Sequence, residues 1–209
     1  MTAAIAQPQP FVSYADYCRL EAQSEQKHDY EFGKVVPVPG GSLNHSRIIA
    51  NIGREIGIRL LDLDGPCEYL ESSFRVAFPD HTYSHYTDGM ILCGPPEIDP
   101  EDPTGHSLTN PTAIIEVQSP STGVFDLKTK FKRYRELPSF REYVVAFQDV
   151  PEILNYFKQP DGTWLFSSYA GTTGDMELRS INIKLPLAGI YARVEFPLDP
   201  PSEQSPDGR

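Results

Sequence analysis

The chain has 209 residues, of which 39% are hydrophobic and 22% are charged, a composition typical of a packed globular protein. Its net charge of -11 argues against a protein that coats nucleic acid non-specifically, because affinity for phosphates comes mainly from cations that displace counterions. No basic stretch followed by an apolar core opens the sequence, and no apolar run approaches the ~20 residues that span a bilayer. We therefore expect a cytoplasmic protein without a membrane partner.

The sequence is expected to form one domain, because its length is in the usual range and no Ser/Gly linker divides it. Residues 11–196 form that predicted domain, whereas 1–10 and 197–209 are rich in polar residues and proline and are predicted to be flexible tails. The sequence contains three cysteines, Cys18, Cys67 and Cys93. Because they are widely spaced and form no CxxC pair, they are predicted to be reduced thiols rather than zinc ligands or a redox centre.

The first half of the chain is predicted to contain two helices and three strands. Ser13 can cap the first helix. The second helix has the clearest signal, since Ile48, Ile52 and Ile56 recur with the period of an amphipathic helix. Residues 79–87 are polar and aromatic, and no helix or strand is assigned to them. The predicted elements are a helix over 13–24, a strand over 29–38, a helix from 44 to about 64, a strand over 68–78 and a strand over 88–93.

The second half begins with a proline-rich loop over 95–111. The segment 112–118 is almost continuously apolar, as expected for a strand buried on both faces. A helix over 126–137 and a strand over 142–147 follow, and this order indicates a right-handed βαβ crossover. The remaining predicted strands, separated by glycine-containing turns, cover 153–158, 164–169 and 183–187.

Two acidic residues lie in or beside apolar runs. Glu116 lies within the buried strand, where an unpaired charge would cost on the order of several kcal/mol, so a metal, a lysine or a hydrogen-bond donor is expected beside it. Asp88 opens the apolar run GMILC in a similar way. The alternatives are a Glu116 that faces solvent or pairs with an arginine, and an Asp88 that caps a turn. Two acids on adjacent strands repel each other, and a hard cation such as Mg²⁺ would offset that repulsion.

A lysine is predicted beside these acids. The inward stripe of the third predicted helix consists of Leu127, Phe131 and Tyr134. At about 100° per residue Lys130 lies at the edge of that stripe, whereas Lys128 and Lys132 point outward. Lys130 could therefore reach a metal and a phosphate. The alternative is a solvated lysine, or one paired with Asp126 four residues earlier.

These residues resemble a known family. The segment 111–122 (PTAIIEVQSPST), followed by the spacing D-x(3)-K-F-x(2)-Y over 126–134, resembles the Uma-two family, which belongs to the PD-(D/E)xK nuclease superfamily. The likeness covers most of the chain, over about 14–194. Its upstream positions are Gly40, Gly41, His45, Ile48, Tyr86, Asp88 and Gly94. The two motifs are specific in combination, although each alone is weak.

The resemblance implies roles for individual positions. Asp88 and Glu116 match the metal-binding acids of the family, and Lys130 matches its catalytic helix lysine. Val117 would offer its backbone carbonyl to the metal. Gln118 stands where the superfamily usually has a lysine, and Lys130 is expected to substitute for it.

Some positions depart from the family pattern. The family usually has Glu four residues before the glycine of the first strand, whereas here Asp29 precedes Gly33 by four. Its side chain is shorter, so Glu31 on the same strand face is the alternative metal contact. His45 lies near the start of the second helix, where free amide groups could bind a phosphate or an acid, and its alternative role is packing. Thr87 replaces the proline of the motif.

The predicted elements indicate an α/β fold, with a mixed central β-sheet flanked by helices and a C-terminal antiparallel extension. The resemblance implies that this fold is restriction-endonuclease-like. The implied activity is Mg²⁺-dependent hydrolysis of DNA phosphodiester bonds, with Mn²⁺ as a substitute. A homodimer would place two such sites on a duplex. Five cations within residues 128–135 predict the surface that contacts DNA, with Lys128, Lys132 and Arg133 as its main members. The accessory candidates at the site are Glu31, His45, Gln118 and Asp126.

Two alternative functions stay open. The first is a nuclease-fold module that binds DNA or protein without efficient cleavage, which Gln118, Thr87 and the acidic charge favour. The second is a hydrolase of smaller phosphodiesters, which would need less basic surface.

Overall fold

A computed structural model of the protein describes residues 10–118 and 128–196. Its helices are α1 (Tyr14–Glu21), α2 (Leu43–Leu61), α3 (described over 128–134) and α4 (Leu187–Ile190). Its strands are β1 (His28–Glu31), β2 (Lys34–Pro37), β3 (Cys67–Glu71), β4 (Arg75–Ala77), β5 (Tyr83–Tyr86), β6 (Gly89–Cys93), β7 (Ser107–Leu108), β8 (Ala113–Gln118), β9 (Glu142–Phe147), β10 (Glu152–Lys158), β11 (Trp164–Ala170), β12 (Asp175–Leu178) and β13 (Ile183–Pro186). The predicted tails lie outside the described residues, apart from residue 10.

The central sheet has six strands in the order β11-β10-β9-β8-β6-β3. Strands β8 and β9 are parallel, and the other neighbours are antiparallel, so the predicted mixed sheet is confirmed. All six residues of β8 are buried, as the continuous apolar run predicts for a strand covered on both faces. Helix α3 lies between β8 and β9 in the chain, in agreement with the predicted βαβ unit.

A second sheet of five strands, in the order β2-β1-β5-β4-β7, was not predicted. The segment predicted as one strand over 29–38 is a hairpin, because Phe32 and Gly33 both have positive φ (48° and 80°) and form its turn. The segment predicted as one strand over 68–78 divides into β3 and β4, which belong to different sheets. The segment 79–87, to which no element was assigned from the sequence, contains β5, which pairs with both β1 and β4.

Two hydrophobic cores cover the faces of the central sheet. One contains Ile48, Ile52 and Ile56 of α2 and the apolar residues of β12, β13 and α4. The other contains Tyr134 of α3 and Phe78 beside the five-stranded sheet. Along β8, odd-numbered residues face the α2 core, and Ile114 faces the α3 core. The alternation of a strand therefore directs Glu116 and Gln118 toward α3.

The C-terminal part forms the predicted antiparallel extension, although β12 was not predicted. Strands β10 and β11 continue the central sheet, and β12 pairs with β13. The fully buried Glu142 joins the two parts, because its carboxylate accepts hydrogen bonds from the backbone N–H groups of Arg179 and Ser180 at 2.9 and 2.7 Å.

The prediction of three reduced thiols is wrong for two of the cysteines. Cys67 and Cys93 lie opposite each other in the antiparallel β3–β6 pair and form a disulfide. Their separation of 26 residues conceals this proximity in the sequence. Cys18 is a free, buried thiol. Among the described residues, no helix combines the length and the apolar character that crossing a membrane requires.

Candidate active site

Asp88 and Glu116 lie on neighbouring strands of the central sheet. Gly89 of β6 pairs with Ile115 of β8, and each acid is the next residue beyond that pair, so the register places the two side by side. Asp88 accepts a hydrogen bond from the backbone N–H of Val117 at 2.7 Å. Glu116 is only 4% exposed, and this burial excludes the alternative in which its side chain faces solvent.

Both carboxylate oxygens of Glu116 have partners on α3. The ammonium group of Lys130 lies 3.2 Å from Oε2, and the hydroxyl of Tyr134 donates to Oε1 at 2.8 Å. Burial raises the pKa of Glu116 to about 7, with a further contribution from Asp88, while Lys130 opposes the rise. The ionised form of such a buried carboxyl group is stabilised by a nearby positive charge, either the ammonium group of a lysine or a metal ion.

Tyr134 is a site residue that sequence reasoning missed, because its place in the apolar stripe indicated only a core position. It is 1% exposed, and its ring packs in the core while its hydroxyl reaches Glu116. Its spacing of four residues from Lys130 was the available signal, since residues i and i+4 share one helix face.

His45 lies on the other side of the acid pair, in the first turn of α2. Its Nε2 is 3.3 Å from Oδ2 of Asp88, and this hydrogen bond is the main cause of its raised pKa, against the effect of burial. Gly41 permits the arrangement, because a Cβ at that position would lie 2.5 Å from Nδ1 of His45. Of the two roles considered for His45, the structure shows the contact with an acid.

Asp29 and Glu31 both lie on the cleft side of β1, and His85 lies between them. Asp29 accepts a hydrogen bond from the backbone N–H of Tyr86 at 2.9 Å and lies 3.1 Å from Nδ1 of His85. Glu31 lies 3.9 Å from Nε2 of His85 and is more exposed. His85 was missed by sequence reasoning, because β5 was not predicted and its face could not be assigned.

These groups line one cleft with a volume of about 380 Å³. Its acidic and basic lining residues are Asp29, Glu31, His45, His85, Asp88, Glu116 and Lys130. Among the described residues, no three His, Cys, Asp or Glu side chains converge as a ready metal site. Mg²⁺ binds through one or two carboxylates and keeps several water ligands, so the pair of acids with cleft water fits that ion. Val117 lines the cleft as well.

Part of the cleft lining is polar and uncharged. Gln118, the last residue of β8, and Gln148, which follows β9, both belong to it. Ser42, the N-cap of α2, donates a hydrogen bond to Oε1 of Gln148. Gln118 is 8% exposed, and neither its Nε2 nor its Oε1 has a hydrogen-bond partner among the residues that the structure describes.

The cations of the predicted basic surface differ in their exposure and in their contacts. Lys128 and Lys132 are exposed on α3, as predicted. Arg133 instead packs its guanidinium over the ring of Tyr83, 4.1 Å from the ring centre, and lies 3.3 Å from Glu136. Asp126, the accessory candidate, lies outside the described residues.

The mixed central sheet flanked by helices matches a nuclease-like fold. A crystal structure described as "a putative nuclease belonging to DUF820" from Anabaena variabilis matches with a TM-score of 0.67 and covers 86% of this chain and 97% of that chain. At 14% sequence identity, this likeness shows the fold.

Sequence comparison then identifies the family. The model of the Uma2 family, described as "Putative restriction endonuclease", matches residues 14–204, and the chain belongs to this family. Uncharacterized protein sll1609 of Synechocystis sp. is 29% identical over 169 residues, 81% of this chain and 93% of that protein. Uncharacterized protein slr1290 of Synechocystis sp. is 30% identical over 190 residues, 90% of this chain and 96% of that protein. The family expected from the sequence motifs is confirmed.

Proposed function

We propose that the protein is a metal-dependent endonuclease that hydrolyses DNA phosphodiester bonds in this cleft. The observation that carries the proposal is the buried carboxylate of Glu116, which lies beside Asp88 and has Lys130 on its Oε2 at 3.2 Å. A purely structural acid would be satisfied by its ion pair. The second acid, the adjoining cleft and the family membership favour a cation and a phosphate as the ligands.

Several residues of the cleft would bind the metal ion. Asp88 and Glu116 would hold Mg²⁺, or Mn²⁺ in its place, and Asp29 or Glu31 would contribute from β1. The backbone carbonyl of Val117 is a further ligand that the family resemblance suggests. Bound there, the metal ion would supply charge that polarises the phosphate and lowers the pKa of the attacking water.

Lys130 would stabilise the charge that develops on the phosphate, or orient the attacking water. Tyr134 would hold the carboxylate of Glu116 in place through its hydrogen bond of 2.8 Å, and His45 would do the same for Asp88. Both are positioning residues in this proposal, because they act through the acids.

DNA is the proposed partner, and the exposed side chains of Lys128 and Lys132 are the proposed contacts with its backbone. Arg133 would contribute less, since its guanidinium already packs on Tyr83 and pairs with Glu136. A homodimer is proposed on the ground that two cuts in a duplex need two sites.

Calorimetry tests the metal site directly. Wild type, Glu116→Gln and Glu68→Gln would be titrated with Mg²⁺ and Mn²⁺, and cleavage of plasmid DNA would be followed in parallel. Glu68 is exposed on β3 and serves as the matched control. Loss of divalent-ion binding and cleavage in Glu116→Gln alone supports the site. Equal affinity in all three proteins would show that the assignment is wrong.

A nuclease-fold module that binds without cleaving is the second candidate. It is favoured by Gln118, which has no charge at the position where the superfamily usually has a lysine, and by the net charge of -11. This candidate predicts metal-dependent DNA binding without strand scission. A hydrolase of smaller phosphodiesters predicts the reverse, namely turnover of a chromogenic phosphodiester without cleavage of DNA.

A further inference from the structure

The amide of Gln118 is a buried polar group without a hydrogen-bond partner in the described part of the chain. Its Nε2 and Oε1 are both buried, and neither makes a hydrogen bond with another residue in the ranges 10–118 and 128–196. Burial without a partner costs the desolvation of a donor and of an acceptor together. Such a group is expected to be matched by a ligand or by ordered water.

The position of Gln118 points to a ligand in the cleft. It stands two residues beyond Glu116 on the same face of β8 and lines the same cleft. Gln148, which follows the neighbouring strand β9, lines the cleft as well, and its backbone N–H donates to the carbonyl of Gln118 at 3.0 Å. The Oε1 of Gln148 already accepts from Ser42. The two side chains therefore offer two NH₂ groups and one unused carbonyl oxygen.

The chemistry of these groups distinguishes between the parts of a nucleic acid. Phosphate oxygens only accept hydrogen bonds, so a phosphate would leave Oε1 of Gln118 without a donor. A nucleobase edge presents a donor and an acceptor side by side, and glutamine pairs with such an edge through both atoms of its amide. The cleft lining also suits a base, because it includes the uncharged segment Val36, Pro37, Val38 and Pro39.

We propose that Gln118, assisted by Gln148, contacts the edge of a nucleobase next to the scissile phosphate and is a specificity-determining residue. This inference rests on the proposed nuclease function. It gives Gln118 a role different from that of the lysine for which it stands, since Lys130 already supplies the positive charge at Glu116.

The test compares wild type with Gln118→Leu, which keeps most of the volume and removes the amide. Gln159→Leu is the matched control, because Gln159 lies in the β10–β11 turn and hydrogen-bonds there to Thr163. DNA oligonucleotides that carry each of the four bases at the positions flanking the cut are cleaved with Mg²⁺, and the same set is bound with Ca²⁺ in place of Mg²⁺. The readout is the ratio between the best and the worst base.

We expect wild type and Gln159→Leu to share a base preference of about tenfold, the typical range for one good bidentate contact, and Gln118→Leu to bring that ratio close to one. A uniform loss over all four bases, or an unchanged ratio, would overturn the inference and leave the nuclease proposal standing. If no protein cleaves DNA, the nuclease proposal fails. In that case the base preference in DNA binding with Ca²⁺ tests the contact separately. If Gln118→Leu has the same ratio between the best and the worst base as wild type, Gln118 does not contact a base.

Discussion

Lys130 and Tyr134 each hold one carboxylate oxygen of Glu116, and this small network decides how the acid behaves. Without a metal, Lys130 supplies the neighbouring positive charge. With a metal and a phosphate in the cleft, the same ammonium group would be available for the charge that develops during the reaction. The two uses can be separated by substitution.

Lys130→Ala should reduce cleavage by on the order of 10² or more, the usual loss for a contact with transition-state charge. Lys128→Ala is the matched control, since it removes the same charge from an exposed position of α3. Cleavage rates at saturating DNA with Mg²⁺ give the comparison. An equal fall in both variants, or an unfolded Lys130→Ala, would mean that Lys130 has no catalytic role.

The raised pKa of Glu116 predicts how stability depends on pH. Burial raises this pKa to about 7, above the value of about 4.3 in an unfolded chain. Between these values the folded state binds more protons, so its free energy of unfolding should fall as the pH rises from about 5 to 7. Urea unfolding in EDTA should show this trend in wild type and a smaller one in Glu116→Gln. If the free energy of unfolding varied with pH in the same way in both proteins, the raised pKa of Glu116 would be contradicted.

Helix α3 is the element that combines the site with a basic surface. Its inward side carries Lys130 and Tyr134, and its exposed side carries Lys128 and Lys132. A molecule with a net charge of -11 should depend on so local a surface for any contact with phosphates.

Reversal of both exposed charges, Lys128→Glu with Lys132→Glu, should weaken DNA binding and lower its salt slope by roughly two, because each phosphate contact contributes about one. Fluorescence anisotropy over a salt series measures both quantities. The paired reversal Lys158→Glu with Lys184→Glu, on the C-terminal strands, controls for net charge. If the α3 variant keeps the slope of wild type, DNA approaches another surface.

Strand β9 shows that a buried acid is not by itself a sign of function. Glu142 opens an apolar strand much as Asp88 precedes one, yet its partners are backbone N–H groups and the amide of Asn155. We expect Glu142→Gln to lower the free energy of unfolding by about 2 kcal/mol or more, since charged hydrogen bonds to backbone donors are lost. Thermal or urea unfolding at pH 8 measures this. A neutral effect would contradict the structural role.

At the scale of the molecule, a buried ion pair connects the five-stranded sheet to the long loop between β6 and β8. Arg75 of β4 is 1% exposed and lies 2.8 Å from the carboxylate of Asp102. Burial opposes the ionisation of Asp102, but hydrogen bonds from Thr104 and Ser107 and the charge of Arg75 outweigh it and hold the pKa below its usual range. The charged pair is therefore part of the folded state.

Asp102→Asn should destabilise the protein by about 3–5 kcal/mol, because it leaves the guanidinium of Arg75 buried without its counter-ion. The depressed pKa also implies that the stabilisation is fully present above about pH 4, the ordinary value for Asp, and is lost progressively as the pH falls from there toward the lower folded-state pKa. Urea unfolding at pH 7 and pH 3 tests both statements. Asp161→Asn, in an exposed turn, is the control, and a loss no larger than its own would refute the role of the pair.

The sequence by itself determined what depends on local periodicity and on motif residues. The apolar period of α2, the continuous apolar run of β8 and the βαβ order were sufficient for the mixed sheet. The motifs were sufficient to identify the family. They also singled out Asp88, Glu116 and Lys130, which line one cleft in the structure.

Only the tertiary structure decided which groups from distant segments meet. The contact of His45 with Asp88, the place of His85 between two acids and the burial of the Gln118 amide all depend on how the two sheets and α2 pack. The division of residues 68–78 between two sheets has the same origin, because a strand pattern does not specify its partner strand. Local sequence sets the preference of each segment for helix or strand, whereas long-range packing selects the neighbours that give each side chain its chemistry.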